Sequence, residues 1–278
     1  MLELTDKFAN KKMMADENPK RREYEETLSP GPQTGGSFEV DAETATDIDW
    51  IRHDSGEAAM TVVTEEEFEA ILGSGNLKKI NKLITEIESI TPGMARKLVK
   101  NYRIPFLELT GLKEMSVETI MELVKFGEKG GILSRKKTRG QSIKLEGLEK
   151  IGAKEAEALA KFEGDTIMLN GITSLDKETA RALAKFRGKS LYLNGLTSIS
   201  LEIAGEMADF KVARLMLKGI KRIGVKEASA LAKFKGSLLD LSGLEEMDFE
   251  TARELRKYEA GGRVLDVNRY IRNILRKA

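Results

Sequence analysis

The chain has 278 residues, of which 33% are charged and only 6% are aromatic, so aliphatic side chains must supply its core. It contains no cysteine, which excludes disulfide bonds, thiolate metal sites and a cysteine nucleophile, and which fits a reducing compartment. No stretch approaches the roughly 18 apolar residues of a membrane span, and the N-terminus lacks a signal-peptide core, so we expect a soluble cytoplasmic protein.

The net charge of +1 conceals an uneven distribution of charge along the chain. Residues 1–70 hold 7 Lys/Arg and 18 Asp/Glu, whereas residues 71–278 hold 39 and 27. An acidic N-terminal part and a basic body indicate an acidic arm that docks on a basic surface, of its own chain or of a neighbour. A purely solubilising tail is the equally weighted alternative.

The N-terminal part of the chain, before the repeats, reads as two segments. Residues 1–45 combine low hydrophobicity with the breaker cluster SPGPQTGGS (29–37), which predicts a flexible acidic leader. Residues 46–80 predict a small hairpin and helix, because apolar runs flank HDSGE and because Thr64 with Glu67 forms a capping-box pattern at a helix start.

Catalytic chemistry has little support in the sequence. His53, the only histidine, lies beside Asp54 and Ser55, but partners of a catalytic triad usually meet through folding and not as neighbours in a turn. We therefore expect an exposed turn histidine, and we predict no catalytic residue, no cofactor and no metal site. An enzyme centred on His53 in residues 46–80 is the least favoured alternative.

A leucine recurs every 24 residues, and a glycine follows two places later each time. A fixed period of this size is the mark of a solenoid, in which each unit packs on its neighbours. Leu109 precedes the first of these leucines by 36 residues, which is one period plus a 12-residue insertion. The periodic leucines are Leu145, Leu169, Leu193, Leu217 and Leu241.

Each repeat begins with the alternation of a short strand. In the repeat around Leu193, the alternation predicts that Leu191 and Leu193 point inward and that Tyr192 and Asn194 point outward. We expect the following Gly195 to supply the backbone freedom that turns the chain out of the strand.

The second half of each repeat changes to helical spacing. Ala180, Leu183 and Phe186 share one helix face, while Asp176 stands at the N-cap and Gly188 follows the helix end. The same pattern predicts N-caps at Ser200 and Asp248 and closing glycines at Gly164 and Gly236.

The run GLTSIS (195–200) and the 24-residue phrasing resemble bacterial leucine-rich-repeat proteins, and especially the VTSIG phrase of their BspA-like subclass. The resemblance covers roughly residues 84–270. It implies an α/β fold, a leucine-rich-repeat-like solenoid with parallel strands on one face and short helices on the other, and by analogy a protein-binding role. The chain departs from the family pattern because Leu196 occupies the usual asparagine position, whereas Asn170 and Asn194 are expected to point outward.

Both ends of the array read as caps. Residues 81–105 predict an N-terminal cap with a helix starting at Thr91-Pro92, followed by the solenoid over 106–262. Residues 263–278 predict a last strand through Leu265 and Val267 and then a basic amphipathic helix. The apolar face of that helix comprises Ile271, Ile274 and Leu275.

The insertion at about 130–141 is basic. We favour a solvated loop over an anion- or nucleic-acid-binding loop, since no aromatic side chain offers a stacking platform among its charges. The candidate anion-binding residues are Arg135, Lys136, Lys137 and Arg139.

The outward strand positions vary from repeat to repeat, unlike the inward ones, and variation of this kind is typical of a binding surface. Met168, Tyr192 and Met216 occupy equivalent positions of consecutive repeats and predict an exposed apolar stripe. The alternative is that these side chains only pack on one another across the strands. The predicted partner-binding residues are Met168, Asn170, Tyr192, Asn194, Arg214, Met216, Lys218 and Asp240.

The sequence therefore predicts a non-enzymatic interaction or scaffold protein that works within a larger assembly. Its strand face would bind a protein partner, and the leader would make a second contact. The alternative is an anion- or nucleic-acid-binding adaptor that uses the basic body and the insertion.

Overall fold

Seven short parallel strands form one sheet whose spatial order is the order of the chain, β1 to β7. The computed structural model describes residues 63–101, 106–127 and 141–278. The strands are β1 (Phe106–Glu108), β2 (Ser142–Lys144), β3 (Thr166–Met168), β4 (Ser190–Tyr192), β5 (Arg214–Met216), β6 (Leu238–Asp240) and β7 (Val264–Asp266).

Within the described residues, a helix follows each strand, and three more helices precede the sheet. The helices before the sheet are α1 (Glu65–Gly73), α2 (Leu77–Glu86) and α3 (Pro92–Asn101). Those that follow strands are α4 (Val117–Leu123), α5 (Ala153–Leu159), α6 (Lys177–Leu183), α7 (Leu201–Ala208), α8 (Val225–Leu231), α9 (Phe249–Ala260) and α10 (Arg269–Lys277), with a short 3₁₀ turn, Val124–Gly127, after α4. This alternation is an α/β solenoid, as the periodic sequence predicted.

The strand register follows the repeat. Leu191 pairs with Ile167 on one side and with Leu215 on the other, and each partner is the equivalent residue of the adjacent repeat. Leu107 pairs with Ile143 across the insertion, so the longer first interval also ends in register. The central residue of each strand and the periodic leucines are fully buried, and they share one core with helix residues such as Leu183. This burial confirms the predicted inward face.

Side chains cap the helices where the sequence predicted. The backbone N–H of Thr179 donates to Asp176 Oδ1 at 2.6 Å, and that of Thr251 donates to Asp248 Oδ1 at 2.7 Å. Ser200 caps α7 in the same way at 3.3 Å. These caps fix where each short helix begins and hence how far its apolar face reaches over the core.

The repeated glycines have a different role from the predicted one. Among the described residues, only Gly75 and Gly262 have a positive φ, so the bend after each strand needs no left-handed residue. A Cβ on Gly195 would instead lie closer than 3.0 Å to the carbonyl oxygens of Asn170 and Ile172 in the preceding repeat. Close stacking of neighbouring bends therefore requires glycine here. The same two contacts occur at Gly147, Gly171 and Gly219, and at Gly243 one carbonyl oxygen, that of Lys218, lies as close.

The glycines predicted to close the helices have a role in packing. A Cβ on Gly188 would collide with the ring of Phe186 in its own repeat. Gly188 therefore leaves room for that ring, which stacks on Phe162 of the previous repeat with 6.4 Å between centroids. Gly164 and Gly236 stand in the same relation to Phe162 and Phe234.

The two ends of the sheet have caps. Thr64 and Glu67 form the predicted capping box of α1, and α3 starts at Pro92 as predicted. The loop between α2 and α3 meets the first repeat, where the N–H of Lys113 donates to the carbonyl of Glu88 at 3.1 Å. At the other end α10 buries Ile271 and Leu275, while Ile274 is partly buried against the core.

Three predicted features lie outside the described residues: the leader over 1–45, the hairpin with His53, and the four cations of the insertion at Arg135, Lys136, Lys137 and Arg139. None of the helices in the described part of the chain has the length and hydrophobicity needed to traverse a lipid bilayer.

Candidate partner-binding face of the sheet

The outward side of the sheet, here called the strand face, carries its side chains in three rows that cross the strands. The first row comprises Phe106, Ser142, Thr166, Ser190, Arg214, Leu238 and Val264. The second row comprises Glu108, Lys144, Met168, Tyr192, Met216, Asp240 and Asp266. The third row, two positions further along the chain, comprises Thr110, Glu146, Asn170, Asn194, Lys218, Ser242 and Asn268.

The apolar stripe is shorter than predicted. Met168 and Tyr192 face each other in the register of β3 and β4, and both are half-buried. Met216, the third predicted member, is only 2% exposed, so its prediction as an exposed contact residue was wrong. In the second row it lies between Tyr192 and Asp240.

Tyr192 lies among charged groups. Burial raises the pKa of its hydroxyl above the usual value, and Asp240 acts in the same direction, whereas the positive charges of Arg214 and Lys218 oppose the shift. The phenol is therefore protonated at neutral pH. It offers a hydrogen-bond donor at the edge of an apolar ring, which is the combination that makes tyrosine common in binding surfaces.

Asp240 was predicted as a contact residue, but its side chain is 1% exposed. Its Oδ1 accepts the N–H of Ser242 at 2.9 Å, and its Oδ2 lies 3.4 Å from the ammonium of Lys218. Both carboxylate oxygens thus serve the fold, because a buried carboxylate must be paired and hydrogen-bonded. Lys218 itself is half-exposed and available at the edge of the face.

Asn170 and Asn194 form a ladder that the sequence did not reveal. The Oδ1 of Asn170 accepts the N–H of Asn194 at 3.2 Å, and the Oδ1 of Asn194 accepts the N–H of Lys218 at 3.0 Å. Each amide therefore satisfies a backbone donor in the next repeat, beyond the end of the strand. The Nδ2 of Asn170 also donates to Glu146 at 2.7 Å. These two residues order the face and are not free rim groups as predicted.

Arg214 is held in place on the face by a residue that the sequence analysis overlooked. Its Nε donates to Ser190 Oγ at 2.8 Å, and Ser190 is 1% exposed. Ser190 and Arg214 are one repeat period apart in the sequence, and equivalent positions of adjacent parallel strands lie about 4.8 Å apart. The spacing in the sequence could therefore have revealed this contact. In this pair, a small polar side chain on one strand orients a long charged side chain on the next.

The N-terminal end of the face carries ion-paired side chains together with one exposed phenylalanine. The ammonium of Lys144 lies 3.4 Å from Glu146 and 4.0 Å from Glu108. Phe106, in the first row of the same end, is 48% exposed. The face therefore runs from a charged end on β1 and β2 to an apolar centre on β3 to β5.

The chemistry of the face suits recognition. Within the described residues no group of three or more histidine, aspartate or glutamate side chains could hold a metal ion. The face presents a partly exposed methionine, a protonated tyrosine hydroxyl and oriented cations, and methionine, tyrosine and arginine are enriched at protein interfaces. No protein-family profile matches the chain, and no curated protein sequence matches it significantly.

Proposed function

We propose that this chain is a non-enzymatic interaction or scaffold protein of the leucine-rich-repeat-like class, and that its strand face binds a protein partner. The observation that carries the proposal is the pair Met168 and Tyr192, which stand side by side on β3 and β4 and keep apolar surface partly exposed. Aromatic and methionine side chains at the centre of a polar surface are typical of protein interfaces.

The inter-repeat asparagine contacts support the leucine-rich-repeat-like class. In that family, asparagine side chains satisfy backbone groups of the bend, and Asn170 and Asn194 do so here from a shifted position. The rest of the face supports recognition of a specific partner, since Arg214 and Lys218 are oriented by Ser190 and Asp240. Fixed polar groups around an apolar centre favour one partner over others.

Affinity capture with the immobilised full chain, followed by titration of the captured protein, tests this function. The Met168→Asp/Tyr192→Asp variant should bind about 30-fold more weakly, the effect of losing a hot spot of about 2 kcal/mol. The matched control is Leu201→Asp/Phe249→Asp, which makes the same kind of change at exposed positions on α7 and α9. Equal binding by both variants would contradict the proposal.

The same titration separates the anion-binding alternative. Binding that depends on phosphate or nucleic acid falls steeply with added salt, because bound counterions are released on association. The ratio of wild-type to Met168→Asp/Tyr192→Asp affinity measures the contact at Met168 and Tyr192, and this ratio should change little between low and moderate NaCl concentrations. If binding falls steeply with salt and the Met168→Asp/Tyr192→Asp variant binds as tightly as wild type, the anion- or nucleic-acid-binding alternative is favoured.

A further inference from the structure

The loops that lead into β4, β5 and β6 carry a row of cations at one edge of the sheet. Arg187, Lys211 and Lys235 each stand three positions before the first residue of their strand, one in each of three consecutive repeats. Lys233 lies beside Lys235 in the third loop, and all four side chains are exposed. We call these four residues the basic edge.

Backbone hydrogen bonds stack these loops directly on one another. The N–H of Arg214 donates to the carbonyl of Lys189 at 2.9 Å, and the N–H of Ser237 donates to the carbonyl of Ala213 at 2.8 Å. Neighbouring loops therefore continue the strand spacing of about 4.8 Å. Cations of neighbouring loops are therefore separated by less than the Debye length of about 8 Å at physiological salt, so they repel one another.

Ion pairs neutralise the neighbouring cations but not these four. Lys185 pairs with Glu157 at 2.7 Å and Lys189 with Asp165 at 2.8 Å, each across to the previous repeat. Across the described residues, no acidic side chain lies within ion-pair distance of the basic edge. Asp209 is the one acid within these three loops. A ligand with several negative charges would relieve the repulsion.

The aromatic residues of these loops indicate which polyanion fits. Phe186, Phe210 and Phe234 are at most 2% exposed, so no ring is available on which a nucleic-acid base could stack. The cations are spread along a line and do not converge on one point, as a single phosphate would require. A line of exposed, unpaired cations matches the carboxylates of an acidic polypeptide segment.

The loops of the basic edge lead directly into the strands that carry the centre of the strand face. Tyr192 is in β4, which Arg187 precedes, and Met216 is in β5, which Lys211 precedes. We infer that the protein partner has an acidic segment that lies along the basic edge beside its contact with the strand face. This inference rests on the proposed function, and it adds the chemistry of the partner.

Titration of the isotopically labelled full chain with a poly-glutamate peptide long enough to span the basic edge, followed by amide NMR shifts, tests the inference. The expected result is a shift of signals from 185–189, 209–213 and 233–237, which is lost in Arg187→Glu/Lys211→Glu/Lys235→Glu. The matched control Lys113→Glu/Lys154→Glu/Lys226→Glu makes the same net change at exposed lysines elsewhere and should retain the shifts. Added NaCl should weaken binding, because it screens surface charge.

Several outcomes would overturn the inference. They are poly-glutamate shifts confined to other surfaces, shifts equal in both triple variants, and preferential binding of a single-stranded DNA oligonucleotide to the same loops. A further test changes the ten acidic residues between 23 and 62 to Asn and Gln. If poly-glutamate binds the basic edge only after this change, the edge belongs to the chain's own acidic segment and not to a partner. Peptide binding does not involve Met168 or Tyr192, so failure here is distinct from failure of the proposed function.

Discussion

The side-chain oxygen of Asn194 accepts the backbone N–H of Lys218 at 3.0 Å, from one repeat to the next. Asn170 makes the equivalent bond to Asn194, so two successive repeats are joined at the point where their strands end. The bond explains why a residue on the outward side of the sheet is an asparagine in two successive repeats. A side chain that faces solvent can still be a structural one.

Replacement of Asn194 by alanine should therefore destabilise the fold. The exposed N–H of Lys218 would lose its acceptor, and a hydrogen bond of this kind contributes about 0.5–1.5 kcal/mol. Asn194→Asp keeps an acceptor oxygen at the same place and should cost less. Urea unfolding of the three proteins measures the difference. Equal stability of wild type and Asn194→Ala would show that the bond contributes nothing.

Two glycines, one after a strand and one inside a helix, should respond to alanine with opposite signs. Gly195→Ala should destabilise the solenoid, because its Cβ would press on the carbonyl oxygens of Asn170 and Ile172. Gly205→Ala, in the interior of α7 with nothing within 4 Å of the new Cβ, should stabilise by up to about 1 kcal/mol. Thermal unfolding of both variants checks this, and a stabilised Gly195→Ala would refute the close-approach explanation.

The inward leucine ladder should respond to truncation as a packed core does. Leu193 is fully buried, so Leu193→Ala should lower the free energy of unfolding by about 2–5 kcal/mol through the cavity that it leaves. Leu201 is 40% exposed at the start of α7, and its truncation to alanine should cost far less. Similar losses in chemical denaturation for the two variants would argue against the assigned faces of the strand.

Glu122 should make part of the stability depend on pH. Hydrogen bonds from Arg96, at 3.0 Å, and from Lys125, at 2.8 Å, lower its pKa from 4.5 to about 2. Because the folded pKa is the lower one, this contribution is complete above about pH 4.5 and is lost as the pH falls towards 2.

Urea unfolding at a series of acidic pH values checks this contribution. The curve for Glu122→Gln should fall less steeply between about pH 4.5 and pH 2 than that of wild type. Arg96→Gln/Lys125→Gln keeps the carboxyl group but removes both donors, and it should flatten the curve to a similar extent. Parallel curves for wild type and Glu122→Gln would contradict the assignment.

The repeat period was enough to predict the architecture. Positions one period apart, such as Leu169 and Leu193, must be equivalent in a solenoid, so strand order, register and the buried face follow from spacing alone. The N-caps at Asp176 and Asp248 were also readable, because capping depends on residues three positions apart in the chain.

The arrangement of the strand face was less predictable because it depends on contacts between repeats. Alternation shows that Met216 points away from the helices, but it does not show how exposed that side chain is, and Met216 is only 2% exposed. Likewise, the role of Asn194 depends on where the next bend places the N–H of Lys218, and the role of Gly195 depends on where the previous bend places its carbonyls. Helix α2 was missed because its apolar residues merge with the pattern of the repeat.

Site-specific photo-crosslinking in the cells that produce this protein tests the central claim most directly. A photoreactive phenylalanine analogue at position 192 places the reactive group at the apolar centre of the strand face, and the same analogue at Leu201 or Phe249 places it on exposed helix positions. The account predicts a discrete protein adduct from position 192 and none from the helix positions. Adducts from the helix positions alone would contradict it.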